Sequence, residues 1–438
     1  MMPPHRLGGM RFFPLCASLL CLFPLLLKGA PDQTPFPQLP DIKGLQVQMV
    51  DDALALGVHH AGINVNISSL MDPEKREGNP RWTCEGTEYA FQARVLAALD
   101  KQVKPLSEAG VAVYLIILAY PTGDPVKDKT VQHSSARADR SYSIGAFNTA
   151  TDEGRRWLRA VMEFLADRWS GAHPEHGRVW GWIIGNEVNS HWLWYNLGKM
   201  PMAEAAAEYE KAFRIAHQSV RKASANARLY IPLDHHWKAS MPGISPEEAT
   251  SGRDFMDTFA RLAREGEGGD YDWALAHHPY PDDLGNPRTW LDKDATPDDD
   301  SPHVTFKNLE VLSKHLSRPE LLWRGKPRRV ILSEQGFHTL DRPEGEDLQA
   351  AAFAYAWEKC RRVPLVDAFI YHRHVDHSQE GGLMLGLWRH KAGSISTPDR
   401  SKRIYPLFKA AGTPGWSEAA SFALPLTGLK SWDELPGS

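Results

Sequence analysis

The chain has 438 residues, of which 42% are hydrophobic and 24% charged, and its formal net charge is −4. This length and apolar content are typical of a globular protein with a large core, and the slight acidity argues against a nucleic-acid binder, which would carry a basic surface. Four cysteines are too few for a disulfide-built scaffold, so packing must supply most of the stability.

Residues 1–30 differ in character from the rest of the chain. Arg6 and Arg11 precede an apolar run at positions 12–27, which ends at Lys28 and two small residues. This order is typical of a secretory signal peptide, so we expect a secreted or periplasmic protein. The run is shorter than the roughly 20 residues of a spanning helix, and a retained N-terminal anchor is the alternative.

Cleavage after residue 30 would change the formal net charge from −4 to −7 and leave Cys84 and Cys360 as the only cysteines. These two allow either one disulfide or two buried thiols. A lipoprotein is also conceivable, but neither Cys16 nor Cys21 follows a convincing small-residue lipobox. Residues 31–43 contain four prolines and are predicted to form a linker. No later segment reaches membrane-spanning length.

Short β-type runs alternate with helical segments from residue 44 onward. The third run is almost continuously apolar, as in a parallel strand buried on both faces. The predicted strands are residues 45–50, 58–67, 111–120, 179–186, 227–234, 272–277, 329–334 and 366–371. The predicted helices are residues 51–56, 89–109, 151–169, 202–223, 254–264, 306–316 and 347–360. We therefore expect residues 44–438 to form a single-domain α/β protein, a (β/α)8 or TIM barrel.

Two of the predicted strands end in a glutamate. The fourth strand runs into Gly185-Asn186-Glu187, and the seventh into Ser333-Glu334-Gln335. The carboxyl ends of barrel strands meet at the mouth where active sites of this fold lie, so we expect the two carboxyl groups to face each other. One carboxylic acid and one carboxylate across a sugar-sized cleft are what glycoside hydrolysis requires. A single glutamate after a strand is usually a solvated loop residue, and it is the pair that indicates catalysis.

With these motifs, residues 44–375 resemble the retaining glycoside hydrolases of clan A, which carry Asn-Glu after strand four and a nucleophilic Glu after strand seven. The resemblance implies Glu187 as acid/base, Glu334 as nucleophile and Asn186 as ligand of the sugar 2-hydroxyl. It implies a glycosidase that degrades a poly- or oligosaccharide through a covalent glycosyl-enzyme intermediate, without a cofactor. The chain is also similar to a bacterial barrel family labelled as a domain of unknown function.

The segment His278-Pro279-Tyr280 after strand six is a further match to the clan. A His and a Tyr in this arrangement often line the site, which implies substrate-binding roles for His278 and Tyr280, with His277 as their neighbour. Two segments depart from the pattern. Many members carry an arginine after strand two, where this chain offers Asn64 and Asn66, and many carry a tryptophan after strand eight, where this chain has residues 371–377. These departures affect substrate specificity and leave the mechanism in place.

Seven histidines follow predicted strands five, six and eight, namely His235, His236, His277, His278, His372, His374 and His377. Because imidazole is a common zinc ligand, a metal-dependent barrel hydrolase is an alternative interpretation. That class would require a His-x-His pair after strand one and a lysine after strand four, and the sequence has neither. We therefore expect no metal. A non-catalytic carbohydrate-binding barrel is a third possibility, but such a module has no need of an acid and nucleophile pair.

We expect substrate-binding roles for some of the residues after strands five and eight, namely His235, Trp237, His372 and Arg373. Basic side chains would make the cleft locally positive and suggest an anionic polysaccharide as substrate, namely His235, His236, Lys238, His372, Arg373 and His374. The same side chains could equally bond neutral hydroxyls or buried backbone groups. The sugar, the linkage and endo or exo action stay open.

Overall fold

The computed structural model describes residues 1, 30–140 and 144–437, and the predicted signal peptide lies almost entirely outside them. Eight parallel strands close into one barrel, in which each strand pairs with its neighbours in chain order and the eighth pairs with the first. Numbered in chain order, the barrel strands are Lys43–Gln46, His60–Asn66, Ala112–Leu118, Gly181–Ile184, Arg228–Leu233, Ala274–His277, Val330–Leu332 and Val366–Tyr371. The predicted (β/α)8 barrel is therefore confirmed.

Helices follow the strands and cover the outside of the barrel. Those in the connections are Val50–Ala55, Ile67–Leu70, Ala93–Glu108, Pro125–Val131, Asp152–Arg168, Met202–Ala223, Gly252–Glu265, Glu310–Leu316 and Gly345–Arg361. Helices Ile404–Ala410, Trp416–Ala420 and Ala423–Thr427 complete the C-terminal part. Local capping explains where several begin: the Thr151 hydroxyl accepts a hydrogen bond from the amide of Gly154, and that of Ser251 from the amide of Asp254.

Side chains of alternate strand residues fill the barrel interior. Tyr114, Ile116 and Leu118 of strand three point inward, and their neighbours in sequence point to the helices. The Tyr114 ring needs the space beside Gly181, since a Cβ at that glycine would lie 1.9 Å from the ring. The barrel is thus a packed core, and a ligand can enter only at its ends.

Several local features differ from the sequence-based expectations. The predicted helix 89–109 begins at Ala93, because Thr87–Ala90 pairs with Arg81–Cys84 in an antiparallel hairpin. A second hairpin joins Trp388–His390 to Pro398–Ser401. Residues 31–43 were expected to be a linker, but Phe36 packs on Trp180 with ring centroids 5.6 Å apart and Lys43 begins strand one.

Cys84 and Cys360 are both free and buried, which decides between the two alternatives left by the sequence. Each thiol has a raised pKa because burial disfavours the thiolate. Within the described part of the chain, no helix combines the length and apolarity needed to cross a bilayer.

Candidate active site

A cavity of about 560 Å³ opens at the carboxyl ends of the strands, within the usual size range of small-molecule sites. It contains the residues that follow six of the eight strands, because parallel strands bring their carboxyl ends to the same rim. Its polar lining includes Gln46, Asn64, Tyr120, Asn186, Glu187, Asp234, His235, His236, Tyr280, Glu334, His372, Arg373 and Glu380. Its apolar lining includes Ile116, Leu118, Leu193, Trp194 and Leu385.

Glu187 lies in a tight turn after strand four. Gly185 has φ +88°, and Glu187 itself has φ +36°, in the left-handed region that side chains other than glycine rarely adopt. The turn is held by hydrogen bonds of 3.0 Å from the Gly185 amide to the Ile117 carbonyl and 3.1 Å from the Val188 amide to the Pro232 carbonyl. Strained backbone of this kind costs on the order of 1–3 kcal/mol and is concentrated at functional sites.

Glu187 and Glu334 meet at the centre of this cavity. One carboxylate oxygen of each lies within 4.8 Å of the other and of a ring nitrogen of His278. Nδ1 of His278 is 3.0 Å from Oε1 of Glu187, and its Nε2 is 3.0 Å from the hydroxyl of Ser333. The Tyr280 hydroxyl donates a 3.3 Å hydrogen bond to Oε1 of Glu334. Each glutamate therefore has a partner of its own.

Burial raises the pKa of Glu187 to about 7, and it outweighs the hydrogen bond and charge of His278, which act in the opposite direction. Burial alone would lower the pKa of His278, but its bond to Glu187 and the charge of Glu334 raise it above the usual value. The pKa of Tyr280 is raised by burial and by Glu334, so this phenol stays a hydrogen-bond donor. Glu187 is thus poised between its acid and base forms near neutral pH.

Asp234, which directly follows strand five, supports the same wall of the cavity. Burial would raise its pKa, yet hydrogen bonds and the neighbouring imidazoles His236 and His235 lower it, so the group is a carboxylate. Its partners include the Asn189 amide at 2.7 Å, the hydroxyl of Ser190 and the backbone amide of His236 at 2.9 Å. The negative charge of Asp234 also contributes to the raised pKa of Glu187.

Most of the residues predicted to bind substrate do line the cavity. Asn186 is buried beside Glu187, and its amide makes no hydrogen bond to the described residues, which leaves it available for a ligand. His235 faces the cavity beside Asp234. His372 lies between Gln46 and Glu380, with a hydrogen bond to each, and Arg373 contacts Glu380 at 3.3 Å.

Two of the predicted binding residues are directed elsewhere. Nε2 of His277 is 2.8 Å from the Val304 carbonyl oxygen, and the side chain is fully buried. Trp237 is also fully buried, with its ring nitrogen donating to the Asp299 carbonyl at 3.2 Å. Neither is part of the cavity lining. Strand alternation accounts for His277, because it turns this side chain away from the side that His278 faces.

The structure adds residues that the sequence interpretation had not selected. Asp234 shows the same pattern as the two glutamates, an acidic residue at the end of a strand, and this pattern could have identified it. Ser333 and Tyr120 are missing from the prediction because a serine or tyrosine at a strand end is common. Trp194 also lines the cavity, whereas the ring nitrogen of Trp388 donates to Asp52 at 3.0 Å.

Three groups among the described residues have the spacing of metal ligands. One is the set of Glu187, His278 and Glu334, but both ring nitrogens of His278 already have partners there. The others are His235 with His236 and His303, and Asp282 with Asp294 and His303.

The eight parallel strands thus form a closed (β/α)8 barrel, with Glu187 and Glu334 after strands four and seven. The chain belongs to a family of unknown function (DUF5722), whose model matches residues 35–435. No curated protein matches it in sequence.

Solved structures share this fold at low sequence identity. A hyperthermophilic β-glucosidase from Pyrococcus furiosus is 14% identical, with a TM-score of 0.54 over 86% of both chains. Fpglu1 from Fervidobacterium pennivoraus is 10% identical, with a TM-score of 0.53 over 87% of this chain and 84% of that one. A family 39 glycoside hydrolase from Bacteroides cellulosilyticus WH2 is 15% identical, with a TM-score of 0.50 over 83% of this chain; the match spans 60% of that longer chain.

Proposed function

We propose that this protein is a retaining glycoside hydrolase that cleaves O-glycosidic bonds of a poly- or oligosaccharide. The observation that carries the proposal is the approach of the two glutamates, whose nearest carboxylate oxygens lie within 4.8 Å. Retaining enzymes hold their carboxyl groups about 5–5.5 Å apart, whereas inverting enzymes need about 6.5–9.5 Å to accommodate a water molecule. The separation here leaves room for direct attack on the sugar and favours retention.

In the first step, the Glu334 carboxylate attacks the anomeric carbon and forms a glycosyl ester, while the bond to the leaving oxygen breaks. Glu187 gives its proton to that oxygen. Its pKa of about 7 suits this role, because a large fraction of the enzyme carries the proton near neutral pH. The Tyr280 hydroxyl, which contacts Oε1 of Glu334, orients the nucleophile.

In the second step, the Glu187 carboxylate takes a proton from water, the water oxygen attacks the anomeric carbon, and the ester to Glu334 breaks. Both glutamates return to their starting forms. The pair formed by Glu187 and His278 supports this cycle, because the imidazole donor steadies the carboxylate when the proton has left. The free amide of Asn186 is placed to bond the sugar 2-hydroxyl, an interaction that strengthens in the transition state.

The charges around the cavity favour a neutral glycan over the anionic one suggested by the sequence. Among the described residues, Arg373 is the only lysine or arginine in the lining, and it contacts Glu380. Burial and the neighbouring His236 lower the pKa of His235 to about 3, so that ring is neutral. Lys238, expected to add positive charge, instead pairs with Asp254 at 3.0 Å. Four carboxyl groups of described residues line the cavity, and the ionised ones would repel a sulfate or uronate: Glu187, Asp234, Glu334 and Glu380.

We also propose that the enzyme acts after export, in the periplasm or outside the cell. The support is the signal-like order of residues 1–30. Cell fractionation tests this proposal by comparing the full chain with a chain that lacks residues 2–30. Equal export of both forms would contradict a signal function of this segment.

Turnover on a panel of aryl glycosides and neutral polysaccharides tests the function. We expect Glu334→Ala to be inactive, and Glu187→Ala to regain activity on aryl glycosides when azide replaces the missing base. Proton NMR of the first product should show the same anomeric configuration as the substrate. Glu77→Gln is the matched control, because Glu77 is exposed and is not part of the cavity lining. Activity that survives both alanine substitutions, or a product of inverted configuration, would contradict the mechanism.

A further inference from the structure

Three imidazoles form a cluster in the cavity wall, separate from the two glutamates. One ring nitrogen each from His235, His236 and His303 lies within 4.8 Å of the other two. The rings of His235 and His236 are stacked with centroids 4.3 Å apart, and that of His303 meets them edge-on at 4.9 and 5.0 Å. Two adjacent residues after strand five thus converge with a third from the long loop after strand six.

These rings are buried but poorly supplied with hydrogen bonds. The exposed fractions of His235, His236 and His303 are 8%, 5% and 8%. The His235 ring makes no hydrogen bond to any described residue, and Nε2 of neither His236 nor His303 does so. These nitrogens are not sealed off, because the fully buried atoms without a partner include Nδ1 of His236 but none of them. They are therefore accessible to a ligand that accepts lone pairs from all three rings.

Two carboxylates stand behind the cluster. Oδ1 of Asp282 makes a 2.7 Å hydrogen bond with Nδ1 of His303, whereas Oδ1 of Asp234 lies 3.2 Å from Nδ1 of His236 in an ion-pair contact without hydrogen-bond geometry. A carboxylate at the far nitrogen is the usual partner of a metal-bound histidine, because it fixes the tautomer and makes the other nitrogen a stronger ligand. Together the two carboxylates also supply the negative charge that would balance a dication.

We propose that His235, His236 and His303 bind a divalent transition-metal ion, for which Zn²⁺ is the best fit. Imidazole nitrogens suit a borderline-soft ion, whereas calcium and magnesium prefer oxygen ligands. Three protein ligands leave a coordination position open. Since His235 and His236 line the cavity, this position is within reach of a sugar hydroxyl or water. The ion would also tie the loop after strand five to the loop that carries His303.

This proposal goes beyond the glycosidase mechanism and does not depend on it, because its test measures metal and not turnover. The purified full chain is stripped with a chelator, loaded with Zn²⁺, desalted and analysed by mass spectrometry for metal content. We expect about one zinc per chain and a higher Tm with the metal than without it, as mass action requires. Loading with Co²⁺ should give the visible absorption bands of a four- or five-coordinate nitrogen site.

Variants locate the ion. His235→Gln and His303→Gln should lose stoichiometric zinc, and Asp282→Asn should bind it about 10- to 100-fold more weakly, since it keeps all three ligands. His377→Gln is the matched control, because His377 lines the same cavity but is not in the cluster. Should either ligand variant fail to fold, Asp282→Asn and the Co²⁺ spectrum of the unaltered chain still decide. Uptake below about a tenth of an equivalent, or equal zinc in all variants, would overturn the proposal.

Discussion

Removal of the imidazole of His278 should move the pH dependence of catalysis in a defined direction. In the free enzyme Glu187 must carry its proton to act as acid, so kcat/KM should fall above a pKa of about 7. Burial sets this high value, and His278 reduces it, since its hydrogen bond and positive charge both favour the carboxylate. His278→Ala removes both effects. The pKa of Glu187 should therefore rise, and the alkaline limb of the kcat/KM profile should shift to higher pH.

The size of the shift follows from one 3.0 Å hydrogen bond between Nδ1 of His278 and Oε1 of Glu187. A hydrogen bond to a charged group contributes about 1.5–3 kcal/mol, and one pKa unit corresponds to about 1.4 kcal/mol. The alkaline limb of His278→Ala should thus lie about 1 to 2 pH units above that of the unaltered enzyme. The maximal rate should fall as well, because His278 also orients the acid through its bond to Ser333.

The assay is the pH profile of kcat/KM on an aryl glycoside, which reports ionisations of the free enzyme. His390→Gln is the control, since His390 is half-buried outside the cavity and bonds its own neighbour's carbonyl. Its limb should stay in place. A limb that moves to lower pH in His278→Ala would refute the reasoning. That result would mean that the imidazole accepts a hydrogen bond from the carboxylic acid of Glu187 and stabilises its protonated form.

Three further changes test other parts of the structure. Asn186→Ala should lower kcat by about 100-fold and leave the free energy of unfolding unchanged, because the amide hydrogen-bonds the sugar mainly in the transition state. Asp376→Ala should cost about 3–5 kcal/mol in urea denaturation, since it leaves the buried Lys402 ammonium, 2.8 Å away, without its counter-charge. Phe353→Ala should cost about 3–5 kcal/mol in the same assay, because the ring is 1% exposed in the aromatic core. Unfolding free energies within about 0.5 kcal/mol of the parent chain would contradict the last two.

The sequence alone was sufficient for the barrel and for its two central carboxylates. The apolar run of strand three and the alternation of strands with helices are local patterns, and a parallel barrel is the arrangement that buries them all. Glu187 and Glu334 could be selected because a strand end in this fold has a known direction. Their approach within 4.8 Å follows from the closed ring of strands and needs no detail of the loops.

Only the tertiary structure decided which neighbours face the cavity. His277 and His278 are adjacent, yet one bonds the Val304 carbonyl and the other Glu187, because a shift of one residue at the strand end exchanges the two faces. The path of a long loop brings His303 to His235, and no periodic pattern encodes such a path. Local patterns thus determined the strands and their chemistry, whereas loop paths and the register at each strand end set the shape and charge of the site.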